Sequence, residues 1–195
     1  MQIQLRRDTI AFCFRAFFAL AALPVAALLA SQGFGTALKL GPLSQHMLDH
    51  IALLGLAAPA SAWTLRHHIP RVSGQTLAAA AVVQIVLIWI WHLPPVFSAA
   101  VQSSALAHAV MTTSLYLAGL LFWCAIVGLA ERRLWQAILA LLVTGKLFCL
   151  FATVLVFSPR LLYDLHAGHA HRGAHSAFSG LDDQQLAGLI MIAVC

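Results

Sequence analysis

From Leu134 to Phe157 the chain carries one charged residue, Lys146, and the stretches 16–38, 74–91 and 105–129 carry none. Roughly 20 apolar residues in a helix suffice to cross a hydrocarbon core of about 30 Å. These stretches are apolar around their whole circumference, which a soluble amphipathic helix is not. Charged residues make up 9% of the 195, against about 25% in soluble domains, and mean hydropathy is +0.90. Too little polar material remains to cover a water-facing surface. The sequence therefore reads as all-α, a polytopic transmembrane helical bundle whose first partner is the lipid bilayer.

Six spans are expected. The first runs from about Ala11 to Ala30, the second from Met47 to Leu65, and the third from Gln75 to Trp91. The third is closed by His92-Leu93-Pro94-Pro95, because two prolines cannot continue regular helical bonding. The fourth covers about Ala105 to Leu129 and the fifth Leu134 to Phe157, stopped by Ser158-Pro159. The sixth begins near Leu181 and reaches Cys195, about 22 Å at 1.5 Å per residue. That falls short of a full crossing, so this helix either ends within the membrane or belongs to a longer chain. Residues 1–44 form an N-terminal segment, first span and outer connection. Residues 45–195 form the main transmembrane unit, with a His-rich loop at about 160–181.

Basic residues set the orientation. Arg6, Arg7, Arg15, Arg66, Arg71, Arg132 and Arg133 fall on one side of this layout, and Lys39, Arg160 and Arg172 on the other. The positive-inside rule places the N-terminus in the cytoplasm. The first span reads as a signal peptide or an uncleaved anchor, and the weak cleavage context Leu28-Leu29-Ala30 favours the anchor. The net charge of +5 is spread between apolar segments with no dense basic run, so no nucleic-acid partner is expected. Cys13, Cys124, Cys149 and Cys195 form no CxxC pair and no disulfide framework. Lys146, near the middle of the fifth span, is expected to face the protein interior, since a mid-membrane cation is costly.

With this topology eight of the ten histidines gather on the outer side. His46 and His50 are four apart and share one helix face; such a pair suits a divalent ion, Cu(I) or a haem site, or serves as an interfacial cap. Asp49 can orient an imidazole by accepting its second N–H. His92 ends the third span and His108 opens the fourth. Met111 is three residues beyond His108 on the same face, and a thioether beside an imidazole favours a soft ion, although methionine also fills cores. His166, His169, His171 and His175 form a tract with metal-binding composition, readable as a capture segment or as a solvated linker.

In order along the chain, His46-Met-Leu-Asp-His50 with Pro59, Trp91-His-Leu-Pro94, and His108 followed by Ala118-Gly-Leu-Leu-Phe-Trp123 resemble the caa3-type cytochrome c oxidase assembly factors, the CtaG-like membrane proteins of bacteria. Phe157-Ser-Pro-Arg160 with Leu162-Tyr163, and Asp183-Gln-Gln-Leu-Ala-Gly-Leu-Ile-Met191, continue the likeness over about residues 45–195. The resemblance implies a multi-pass protein of the bacterial plasma (inner) membrane. It implies a factor that handles copper while a haem–copper oxidase is assembled, not an enzyme, with oxidase subunits or a periplasmic copper chaperone as partners. It carries over His46, His50, His92 and His108 as metal-site histidines and Asp183, Gln184 and Gln185 as the DQQ stretch. Where relatives place glutamate and a second histidine after the His108 equivalent, this chain has Met111 and Thr112. The candidate ligands are thus His46, His50, His92, His108 and Met111, with Asp49 and Asp183 supporting them and Cu(I) as the expected ion. The alternatives are a haem protein for electron transfer, with His50 and His108 on facing helices, and a structural partner of a respiratory complex. The sequence has no phosphate-binding Gly loop, no HExxH and no nucleophile elbow.

Overall fold

The computed structural model describes residues 13–129, 133–163 and 180–195, and the described residues are helical with no strand. Helix α1 is Cys13–Ala37. Helix α2 runs as Pro42–Ile51, continues through the π-helical Ala52–Ala57 and finishes as Ala58–Leu65. Then follow α3 (Gly74–Trp91), α4 (Pro94–Gln102), α5 (Ala105–Gly128), α6 (Leu134–Phe157) and α7 (Gly180–Val194). Helices α1, α3, α5 and α6 are each long and apolar enough to cross a membrane. The molecule is a multi-pass helical bundle of the kind the composition demands.

Three boundaries differ from the sequence expectation, each for a local reason. Pro94-Pro95 end α3, but they also occupy the first turn of a further helix, α4, where a missing N–H costs nothing. Pro42 plays the same part for α2, which therefore starts five residues ahead of Met47. Helix α1 continues past Ala30 to Ala37 because its polar residues Ser31 and Gln32 bond to Asp49 on α2.

The surface and the interior exchange their usual roles. Leu121, Leu139, Leu142 and Leu150 are exposed, whereas Ser44, Ser61, Gln84, Asp183 and Gln184 are buried. That is the distribution lipid requires, since unsatisfied polar groups in hydrocarbon are costly. Lys146 does not follow the expectation: it is exposed. The buried face of α6 is Ala137, Thr144, Phe151, Ala152 and Leu155, and Lys146, two residues from Thr144, falls on the opposite side of the helix.

Helix α7 packs along α6 and against the first part of α2, and α3 lies between α5 and α6. The α6–α7 approach is so close that a Cβ at Gly188 would stand 2.7 Å from the Ala152 carbonyl. A π-helical turn shifts the backbone register and frees carbonyls that neighbouring helices must satisfy. Ala19, in the π turn Phe18–Ala22 of α1, accepts from both Ser61 Oγ at 2.7 Å and Tyr116 Oη at 2.6 Å. Leu54, in the π stretch of α2, accepts from Trp123 Nε1 at 3.0 Å.

Candidate metal centre

The first part of α2 presents His46 and His50 on one face, one turn apart, with ring centroids 4.3 Å apart. The end of α3 delivers His92, whose ring lies 5.9 Å from His46 and 5.3 Å from His50. One ligand nitrogen from each ring can be chosen so that all three lie within 4.8 Å of one another. The rings are buried, at 8, 6 and 4% exposure.

Their hydrogen-bonding state is unusual for buried groups. His92 Nδ1 lies 2.8 Å from the Ile88 carbonyl. A carbonyl only accepts, so Nδ1 carries the proton and Nε2 is left with its lone pair. His92 Nε2, His46 Nε2 and both nitrogens of His50 are buried without a partner. Each such group costs about 1–3 kcal/mol when left unmade. Three converging imidazoles with free nitrogens are the donor set of a metal ion. Phe97 packs edge-on to His46 at 5.0 Å and Phe151 to His92 at 5.1 Å, closing the site in aromatic walls.

The residues that hold these rings come from the far end of the sequence. Asp183, 2% exposed at the start of α7, accepts from the backbone amides of Leu43 at 2.8 Å and Ser44 at 3.1 Å. A carboxylate there satisfies the open N–H groups of α2 and meets the positive end of its dipole. Gly41 leaves room for it, since a Cβ would stand 2.2 Å from the Asp183 carboxyl carbon. The adjacent Gln184 accepts from the Leu162 amide at 2.7 Å and donates to the carbonyls of Leu155 and Arg160, both at 3.3 Å. That clamp places Tyr163, whose hydroxyl donates to the His92 carbonyl. Burial pushes the Tyr163 phenol up, which keeps it a donor. One turn of α7 thus fixes both parts of the centre.

The remaining expected residues fall in different places. His108 is half-buried, with its ring 5.8 Å from His46, beside the three-histidine set. Met111 is fully buried in an apolar cluster with Leu54, Ile88, Ala100 and Leu115. Asp49 faces α1 and accepts from Ser31 at 2.5 Å, Gln32 at 2.8 Å and Gln45 at 2.8 Å. The tract His166, His169, His171 and His175 lies outside the described residues. Sequence reasoning missed Met47, Phe97 and Phe151 as neighbours of the site. Only Met47 had a signal, its i, i+3 spacing to His50.

Fold and site together define a multi-pass helical membrane protein with a buried tri-His site able to coordinate a metal ion. A family model described as cytochrome c oxidase caa3 assembly factor (Caa3_CtaG) matches residues 2–195, and the chain belongs to that family. The match includes α1, ahead of the stretches that carried the resemblance. Members of this family are assembly factors rather than catalytic enzymes, and they work at the lipid bilayer with the oxidase-assembly machinery. The multi-pass architecture is consistent with a bacterial inner-membrane location. No curated protein and no solved structure matches the chain.

Proposed function

We propose that this protein handles copper, as Cu(I), at the outer face of the membrane during assembly of a haem–copper oxidase. The observation that carries this reading is the set of four unpartnered nitrogens on His46, His50 and His92, with donors within 4.8 Å of one another. These three residues hold the ion in this proposal, and His108 is the fourth imidazole within reach. Met111 sits in the apolar cluster with Leu54 and Ile88, and Asp49 and Asp183 bear on the site through the hydrogen bonds they make to α1 and α2. Imidazole suits several metals; membership of an oxidase-assembly family favours copper. The partner supplying or receiving the ion is an oxidase subunit or a periplasmic copper chaperone.

Competition against a calibrated Cu(I) chelator, with the detergent-solubilised protein under reducing conditions, tests this. The His46→Ala, His50→Ala double variant is expected to insert and to lose at least about a hundredfold in affinity. Unchanged affinity would reject the pair as ligands. Orientation is tested separately: from outside, a thiol reagent is expected to label Ser103→Cys, at the His92 end of the bundle, and to spare Ser73→Cys at the other end. The reverse pattern would place the site on the cytoplasmic face.

A second reading rests on one observation: His50 and His92 also border an apolar cavity, the setting in which a membrane haem is ligated by paired histidines. Reduced-minus-oxidised spectra decide between them, since a Soret and alpha band from the purified protein would favour haem.

A further inference from the structure

His50 and His92 face two ways. On one side they meet His46, and on the other they form part of the wall of a cavity of about 200 Å³ lined by α2, α3, α5, α6 and α7. Three sulfur-bearing residues line that cavity, Met47 from α2 and Met191 and Cys195 from the α7 end, and two of them are thioethers from different helices. Met47 is 1% exposed and stands one turn before His50 on the same face of α2. Met191 reaches in from α7 and packs on the same apolar cluster as Met47. Both ring nitrogens of His50 are buried and unpartnered. Only one of them can enter the tri-His set, where each residue offers one ligand atom.

The charge of this neighbourhood is as informative as its donors. His46, His50, His92, Met47 and Met191 are all neutral ligands. The carboxylates of Asp49, next to His50, and of Asp183 are engaged elsewhere: Asp49 by Ser31, Gln32 and Gln45, and Asp183 by the amides of Leu43 and Ser44. Among the described residues, the grouped metal-ligating side chains are the three histidines alone, so an ion held by them brings a charge that no ligand of this set cancels. The cost of burying an ion rises with the square of its charge, so a divalent ion meets roughly four times the penalty of a monovalent one. Thioethers add preference in the same direction, because they are soft donors that suit Cu(I) and offer little to a hard or borderline divalent ion. A site for a divalent ion is ordinarily built with a carboxylate or thiolate, or keeps access to water.

We propose that Met47 and Met191 are thioether donors on the cavity side of the tri-His centre, and that they select a soft monovalent ion over divalent ones. This rests on the metal-handling reading above and adds to it the residues and the physical reason for the choice of ion. Met47, inside the His46–His50 motif, takes the place that the spacing argument had offered to Met111.

The test uses the full chain in detergent, loaded with Cu(I) under reducing conditions. X-ray absorption at the copper edge is expected to show sulfur alongside nitrogen in the inner coordination shell. Selenomethionine-labelled protein should show copper next to selenium at the selenium edge, a measurement that needs no variant. The Met47→Leu, Met191→Leu double variant conserves volume. It should lose the sulfur contribution and at least about tenfold in Cu(I) affinity, with Zn(II) affinity held within about twofold. A nitrogen-only shell in the unsubstituted protein, or an unchanged ratio of Cu(I) to Zn(II) affinity in the double variant, overturns the proposal. The two claims fail separately: copper binding that depends on His46 and His50 but shows no sulfur removes only the thioethers. Copper binding indifferent to those histidines removes the metal site itself.

Discussion

Asp49 and His50 are neighbours on the same turn of α2, and the structure treats them in opposite ways. On the α1 side, Asp49 accepts three side-chain hydrogen bonds and ties two helices together. On the bundle side, His50 is 6% exposed and both its ring nitrogens lack a partner. Within a membrane bundle an unpaired polar group has no water to turn to. The contrast separates two uses of polarity: the paired face holds the fold together, and the unpaired face is kept open for a ligand. Stability and binding should therefore come apart when the two faces are mutated.

The largest stability loss is expected at Asp183. Asp183→Ala leaves the amides of Leu43 and Ser44 buried and unpaired, costing about 3 kcal/mol, and it loosens the turn that carries His46. Reversible denaturant unfolding in detergent would measure it; a loss below about 0.5 kcal/mol would mean that the cap is not structural. Asp49→Ala is expected to cost less, about 1–2 kcal/mol, because Asp49 is itself only half-buried and its partner Gln32 is exposed. Its metal affinity should stay within about threefold. A loss of affinity as large as that of His50→Ala would merge the two faces into one network. Tyr163→Phe removes one donor from the His92 carbonyl, for about 1 kcal/mol and a few-fold weaker metal binding. Should binding be unchanged, the clamp through Gln184 and Tyr163 does not reach the imidazole.

How much of this was legible in the sequence follows from what each feature depends on. Four of the six expected spans, α1, α3, α5 and α6, were readable because apolar runs around a whole helix have one cheap environment, lipid; α2 and α7 are not among the described helices long and apolar enough to cross. Helix α4 was not, because Pro94-Pro95 announces a stop and a start with the same residues. The His46–His50 pair follows from helical spacing alone. Its meeting with His92 does not, because that depends on Asp183 and Gln184 gripping α2 and the Leu162 segment from across the fold. Lys146 shows the limit most plainly. The cost of a buried cation says that a residue needs cover, but the direction it faces is set by the packing of α6 through Thr144, Phe151 and Leu155.

The claim that the unpaired nitrogens are held for a metal is tested most directly by ligand-linked stability. Saturation at 100 times Kd stabilises a folded protein by about 2.7 kcal/mol. Unfolding should be followed with and without Cu(I) at a fixed free concentration set by a chelator. The unsubstituted chain and Asp49→Ala are expected to gain the same increment, although the latter starts from lower stability. The His46→Leu, His50→Leu variant is expected to gain none, and without metal to be at least as stable as the unsubstituted chain, because it has shed three unpaired nitrogens. An equal metal-induced gain in that variant, or a metal-free stability falling by several kcal/mol, would contradict the reading of His46 and His50 as residues kept open for an ion.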